Sequence, residues 1–277
     1  MDAICPILNR QVKTLSTPYR RDTWEIVRCQ ETGFVFLANP PQYEQLEEQF
    51  AWEKTYQAEL QHRRESEPVI AVASEVAKAV KFGISPKRNR MADLAVRTMR
   101  DYPSDSLKML DIGCGAGGLM VELHRRFAEL GKRVLPFGIE VSEELSRVSR
   151  NEVAPLGGDV VKKYAIAGCE QLLGHRFDLV VMSCFLEHEA QPLLLLQNVF
   201  KILADRGRIV IKVPNFASWN RHVRGNRWCG FRYPDHVNYF TPATLKRLSA
   251  EAGFTRFRQS FLDKVPFSDN MYCEISK

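Results

Sequence analysis

An acid, a dense run of glycines and a second acid are the residues of this chain best suited to chemistry. Asp111 closes the apolar approach Met109-Leu110 and is followed by Gly113, Cys114, Gly115, Gly117 and Gly118. Glycines so spaced let a backbone approach a ligand closely and adopt φ angles that a Cβ forbids. Apolar residues at Met120, Leu123, Phe127 and Leu130 predict a helix over Leu119 to Leu130, opening directly from that loop. A glycine loop at a helix N-terminus is a nucleotide-type arrangement. Gly113, Gly115 and Gly118 also satisfy G-x-G-x-x-G, a weak signal when it stands alone. Asp111 would repel a pyrophosphate but suits a cationic ligand. Glu140, in Phe137-Gly138-Ile139-Glu140, stands at the tip of the next predicted strand, placed to accept two ribose hydroxyls.

Two histidines lie where a base could act. His188 follows Glu187 at the exit of a predicted strand, and His236 lies in the loop before a helix capped by Thr241, with Pro242 at its first position and Gly253 past its end. Either imidazole could take a proton from an acceptor, and either could instead bond to backbone and shape its loop. A third feature is charge: Arg206, Arg208, Lys212, Arg221, Arg224, Arg227 and Arg232 fall in one segment without an acid, interleaved with Trp219, Trp228 and Phe231. Arginine forks match carboxylates and phosphates, and indole faces stack on flat rings. Arg221, Arg224, Trp228 and Tyr233 are therefore candidate binders of a small anionic substrate. The alternative is a solvated basic loop with Trp228 packed inside.

These residues need elements to position them. Strands are expected near 107–112, 134–140, 162–166, 178–184 and 208–213, with helices between, and two closing strands near 254–261 and 271–276. The alternation implies an α/β, Rossmann-like, seven-stranded and mostly parallel sheet with helices on both faces and ligands at the carboxyl ends of its strands. Further helices are expected at 43–64, 67–80 and 89–102. Residues 61–104 thus read as a helical linker or lid, and 105–277 as the main domain with a substrate cap near 214–240. With 277 residues and 45% apolar content, the chain suffices for one substantial domain plus something smaller. Seven scattered cysteines, no leader-like N-terminus and no apolar run of membrane length lead us to expect a cytoplasmic protein with no membrane span. A homodimer is compatible with the helical segment.

Asp111, the glycine loop and Glu140 resemble the first two motifs of class I S-adenosylmethionine-dependent methyltransferases. Phe177-Asp178-Leu179-Val180-Val181-Met182-Ser183-Cys184-Phe185-Leu186-Glu187-His188 resembles that family's fourth motif. Tyr233 to Pro242, through Gly253-Phe254, resembles the C-terminal signature of the ubiquinone-methyltransferase-like branch. The resemblance implies S-adenosylmethionine as cofactor, held by Asp111, Gly113, Cys114, Gly115, Gly117, Glu140 and Ser183. Cys169 would form a wall of the adenine site, where the family often has an acid, with Glu170 as an adenine contact or a solvated helix-start acid. It also implies transfer of a methyl group, most simply to oxygen, on an aromatic acid or a phosphorylated or sugar metabolite. A nicotinamide-dependent dehydrogenase of the short-chain type is disfavoured, because no tyrosine here has lysine four residues later.

Residues 1–60 resemble the small zinc ribbon that precedes some methyltransferase domains. Cys5 and Cys29 remain, while Leu8 and Thr32 stand where each partner cysteine would be. Two sulfurs are too few for a structural zinc, so a degenerate ribbon without metal is expected. Enzymes of the resembled branch hold a divalent ion with Glu-x-x-Glu-His. The corresponding stretch Cys184 to His188 lacks the first carboxylate, so no magnesium and no other metal is expected. Nucleic acid is not the expected partner, since Ser183-Cys184-Phe185-Leu186 stands where base N-methylating enzymes often carry Asn-Pro-Pro-Tyr. An RNA methyltransferase and a non-catalytic S-adenosylmethionine-binding or interaction protein remain the alternatives.

Overall fold

The computed structural model describes residues 2–41 and 89–277. The helices expected over 43–64 and 67–80 lie outside the described residues. Seven strands form the central sheet: β5 (Ser106–Ile112), β6 (Arg133–Glu140), β7 (Asp159–Lys162), β8 (Phe177–Ser183), β9 (Leu203–Pro214), β11 (Arg256–Arg258) and β12 (Asn270–Ser276). Their order is β11-β12-β9-β8-β5-β6-β7. The strands from β9 to β7 run parallel, and β12 is antiparallel to both neighbours. Between β5 and β8 the chain order reverses, and at such a switch point the loops leave in opposite directions and open a cleft.

Both faces of the sheet are covered, which is why its strands read as nearly continuous apolar runs. Helices α1 (Arg90–Met99), α2 (Gly118–Ala128) and α3 (Glu143–Val153) lie on one side. There Met91, Met120, Leu123, Phe127 and Val153 join Leu107, Met109 and Val181. On the other side, α4 (Ala165–Gln171), α5 (Pro192–Ile202) and α7 (Pro242–Glu251) bring Cys169, Leu195, Val199, Leu245 and Leu248 against Val180, Met182 and Ile211. A short helix α6 (Trp219–Arg224) follows β9. Capping sets the helix starts as expected: Thr241 and Thr244 form a reciprocal capping box on α7, and Asn89 and Ser142 cap α1 and α3.

The third strand differs from expectation. It occupies Asp159–Lys162 and not 162–166, and Ala165 and Ile166, expected to finish it, begin α4 instead. Its β-branched pair Val160-Val161 lies opposite Gly138 and Ile139, while the alanines favour helix. The first closing strand is likewise confined to Arg256–Arg258.

The N-terminal residues form a second sheet, β1 (Asp2–Cys5), β2 (Arg10–Arg21), β3 (Trp24–Cys29) and β4 (Val35–Leu37), all antiparallel. Its fifth strand is β10 (Asn238–Tyr239), supplied by the segment just after His236. Ile26, Val35 and Leu37 pack with Phe216, Trp228, Phe231, Val237 and Tyr239 in one buried cluster. The expected boundary at residue 60 lies outside the described residues, and the N-terminal sheet shares its core with residues 216–239. Turns at both ribbon-like positions persist, with Leu8 N and Asn9 N donating to Cys5 O and Gly33 N to Cys29 O. Thr32 Oγ1 lies 3.8 Å from Cys5 Sγ.

Packing under the glycine loop is tight enough to test. A Cβ at Gly138 would lie 2.6 Å from Cys114 Sγ and 3.1 Å from Met120 Cε. Overpacking of this kind costs about 1–3 kcal/mol. Gly138→Ala should lower stability in urea unfolding by that amount, and a Cys114→Ala background should remove most of the loss. Equal cost in both backgrounds would mean that the strain lies elsewhere.

Candidate active site

The carboxyl tips of β5 and β6 carry Asp111 and Glu140, which are 2% and 8% exposed. Burial, aided by the charge of Glu140, pushes the Asp111 carboxyl up to about 8. Glu140 is oriented by two amides: Oε2 accepts from Gly115 N at 2.8 Å and Oε1 from Ser142 N at 3.0 Å. Gly117 caps α2 at φ 85°, a left-handed conformation that costs other residues energy. At Gly113 any Cβ would overlap the ring of Phe185, which leans over the loop from the exit of β8. The Cys114 thiol points away from the cleft, 3.7 Å from Ser149 Oγ, so this residue offers the loop only its backbone.

Cys169 does not stand where the sequence places it, and for Glu170 the solvated alternative fits. Because α4 begins at Ala165, Cys169 is turned into the core with no exposure, and Glu170 lies on the outer surface, accepting from Asn198 Nδ2 at 3.4 Å. The carboxyl edge of β7 instead carries Lys163 and Tyr164, because the strand ends four residues earlier than its expected end at 166. Ser183 does end β8 beside the glycine loop.

Across the switch point the two histidines meet. Their rings are 4.7 Å apart and nearly perpendicular. His188 Nδ1 lies 2.9 Å from Asp235 Oδ1 and 3.0 Å from Asp235 O. Both neighbours only accept, so Nδ1 carries the proton and Nε2 the lone pair. His236 Nδ1 is placed likewise, 2.8 Å from Gly230 O. Arg232 holds the other Asp235 oxygen at 2.8 Å. Burial works to raise the Asp235 carboxyl, yet His188, His236 and Arg232 hold it well below the usual carboxylate range. Burial works to lower His188, but the charge and hydrogen bond of Asp235, with Glu187 adding, outweigh it and raise the imidazole above its ordinary value. His236 is driven the other way by burial and the adjacent His188.

Glu187 completes this group. It is 1% exposed, burial raises its carboxyl, and among the described residues its Oε2 finds no hydrogen-bond partner. One ligand-type atom each from Glu187, His188 and His236 lies within 4.8 Å of the others. That set of one oxygen and two imidazole nitrogens could hold a borderline cation and is poorly matched to a hard, oxygen-seeking one. Asp235 and Glu187 were missed as functional residues, although a carboxylate beside each histidine in sequence was the available signal.

Two of the expected acceptor binders are structural. Arg221 is 8% exposed. Its guanidinium donates to Phe216 O and, at 2.6 Å, to Tyr19 OH, and it stacks 4.3 Å from the Phe216 ring centroid. Trp228 is 1% exposed and donates to Asp269 Oδ1 at 2.7 Å. Neither has a free face for an acceptor, because the aromatic core beneath the cap absorbs both. Arg224 and Tyr233 are partly exposed, with Tyr233 stacked on Phe231 and covered by the Arg21 guanidinium at 5.1 Å.

Residues 82–258 match the family model described as "Methyltransferase domain". A ubiquinone biosynthesis O-methyltransferase of Bartonella quintana (strain Toulouse) is 25% identical over 174 residues, 61% of this chain and 68% of that protein. A crystal structure of a SAM-dependent methyltransferase from Archaeoglobus fulgidus shares the fold at a TM-score of 0.52 and 20% identity. That alignment covers 68% of this chain and 94% of that one. An S-adenosylmethionine-dependent methyltransferase from Clostridium acetobutylicum ATCC 824 does so at 0.53 and 11%, covering 74% and 98%. With its parallel sheet, its reversal at β5 and β8, and two acids flanking a glycine loop, the chain belongs to the methyltransferase domain family and is an S-adenosylmethionine-dependent methyltransferase.

Proposed function

We propose that this enzyme methylates a hydroxyl oxygen of a small anionic acceptor, using His188 as the base. The observation that carries the reading is the pair of poles across the switch point: two buried acids on β5 and β6, and an imidazole locked by Asp235 at the exit of β8. The acid pole fits a ligand with a cationic amine and vicinal hydroxyls. S-adenosylmethionine, when bound, supplies an electrophilic methyl group on a positively charged sulfur. Asp111 and Glu140, with the backbone of Gly113 to Gly117 and Ser183, would hold it. Asp235 fixes the tautomer of His188, so its Nε2 lone pair is the one available to an acceptor proton. His236, kept neutral, keeps the positive charge that develops on His188 from meeting a second cation. Arg224 and Tyr233 are the cap residues proposed to meet the acceptor. The relatives named as ubiquinone O-methyltransferases support oxygen as the methylated atom. An RNA acceptor is disfavoured, because Arg221 and Trp228 lie inside the cap core.

Three outcomes are expected. The first concerns Asp111: with its carboxyl near 8 in the free protein, binding a cation at pH 7 must release a proton. S-adenosylmethionine affinity should therefore rise with pH up to about 8, and calorimetry in buffers of different ionisation heat should detect that proton. An affinity flat from pH 6 to 8 would remove Asp111 from the site. The second concerns the base: His188→Ala should lower kcat by about 10²–10⁴-fold. Asp235→Asn should move the acid limb of the pH profile to lower pH, since it removes what raises His188. A limb that stays in place would mean that another group is the base. The third concerns metal: activity should be insensitive to EDTA and to added magnesium. Loss with EDTA and rescue by zinc would reassign Glu187, His188 and His236 to a cation site.

A further inference from the structure

Lys212 is the one cation of the basic segment set at the carboxyl edge of the central strands. In β9 it pairs with Ser183 of β8 on one side and Tyr272 of β12 on the other. Side chains alternate along a strand, so Lys212 shares the face of Val210, and Ser183 that of Val181. Asp111 pairs with Val181 and Val181 with Val210. Lys212 therefore lies one pleat beyond Asp111, level with the glycine loop and two strands away, about 10 Å at the usual strand spacing. That distance places it on the acceptor side of the cleft, opposite the acid pole.

Its surroundings leave the ammonium underused. Lys212 is half-buried, with Cys184, Tyr272 and Glu187 within electrostatic reach of its ammonium. A thiol is a weak acceptor and an ammonium has three donors. Among the described residues no carboxylate forms an ion pair with it, in contrast to Arg232, which is tied to Asp235. Cys184 is held at φ 56°, in the left-handed region, and its amide donates to Lys212 O at 2.9 Å. Non-glycine residues in that conformation cluster at functional sites. Here the turn sets the exit of β8 directly against Lys212, while Glu187 lies within reach of both Lys212 and His188.

Resting on the methyltransferase reading above, we infer that Lys212 faces the acceptor and stabilises the negative charge that develops on its reacting oxygen. In that step the O–H proton passes to His188 Nε2, and the oxygen lone pair forms the new O–CH₃ bond. The carbon–sulfur bond breaks with its electron pair left on sulfur, and the imidazolium returns its proton to water. Lys212 keeps its charge throughout and stabilises the oxygen before the methyl arrives.

The test uses the full chain, saturated with S-adenosylhomocysteine, and 4-nitrophenol as the probe, whose anion is read by its visible absorbance. The parent should bind the phenolate about tenfold tighter than the neutral phenol, equivalent to an oppositely charged neighbour. Lys212→Met should abolish that preference, and Lys212→Arg should keep most of it. Retained preference in Lys212→Met, or a parent that shows none or does not bind the probe, would overturn the inference. S-adenosylhomocysteine calorimetry separates the two readings. Absence of cofactor-product binding by the parent removes the methyltransferase site itself, whereas normal binding without phenolate preference removes only the role of Lys212. If Lys212→Met loses S-adenosylhomocysteine binding through misfolding, the parent and Lys212→Arg titrations still decide.

Discussion

A single buried carboxylate, Asp235, sets the geometry of the two histidines and of the loop that joins α7 to the exit of β8. It is 4% exposed, and a charge at that depth survives only when it is paired and hydrogen-bonded. Arg232 takes one oxygen and His188 the other, so the loop before α7 is fastened to the exit of β8. Breaking one partner of such a group typically costs several kcal/mol, because the remaining charge is left uncompensated. The same bonds choose the tautomer of His188, and a structural necessity thereby becomes a chemical setting.

The N-terminal sheet extends this constraint. The two residues of β10, Asn238 and Tyr239, complete its edge by pairing with Phe36 and Val35. Leu37 N donates to Val237 O, and Val237 N and Asn238 N both donate to Glu187 O. One short segment thus joins the N-terminal sheet, the β8 exit and the start of α7. The aromatic cluster of Phe216, Trp228 and Phe231 fills the space between them with edge-to-face contacts, geometries favoured by ring quadrupoles. A module that first reads as a vestigial ribbon is in this way built into the segment that carries His236, through β10 and the shared aromatic core.

Much of the fold around the glycine loop was legible because its signals are local. Asp111, the glycines and α2 lie within one stretch of sequence, and alternating apolar runs with capped helices give a doubly wound sheet with few alternatives. The third strand was misjudged because Val160-Val161 and the following alanines are both apolar, and only pairing with β6 separates strand from helix. The cap was misread for a different reason: composition reveals how many arginines a segment has, but not which of them its own aromatics and carbonyls consume. Arg221 is occupied by Phe216 and Tyr19, the latter about two hundred residues earlier in the chain. The meeting of His188 and His236 is likewise a product of topology, visible only when the loop before α7 folds back onto the β8 exit.

The claim that Asp235 makes His188 the base is tested most directly by nitrogen-15 NMR of the histidine rings across pH. The account predicts that His188 keeps its proton on Nδ1 and titrates at Nε2 above the ordinary imidazole value, while His236 stays neutral with Nδ1 protonated. A His188 that titrates below the ordinary value, or that carries its neutral proton on Nε2, would contradict it.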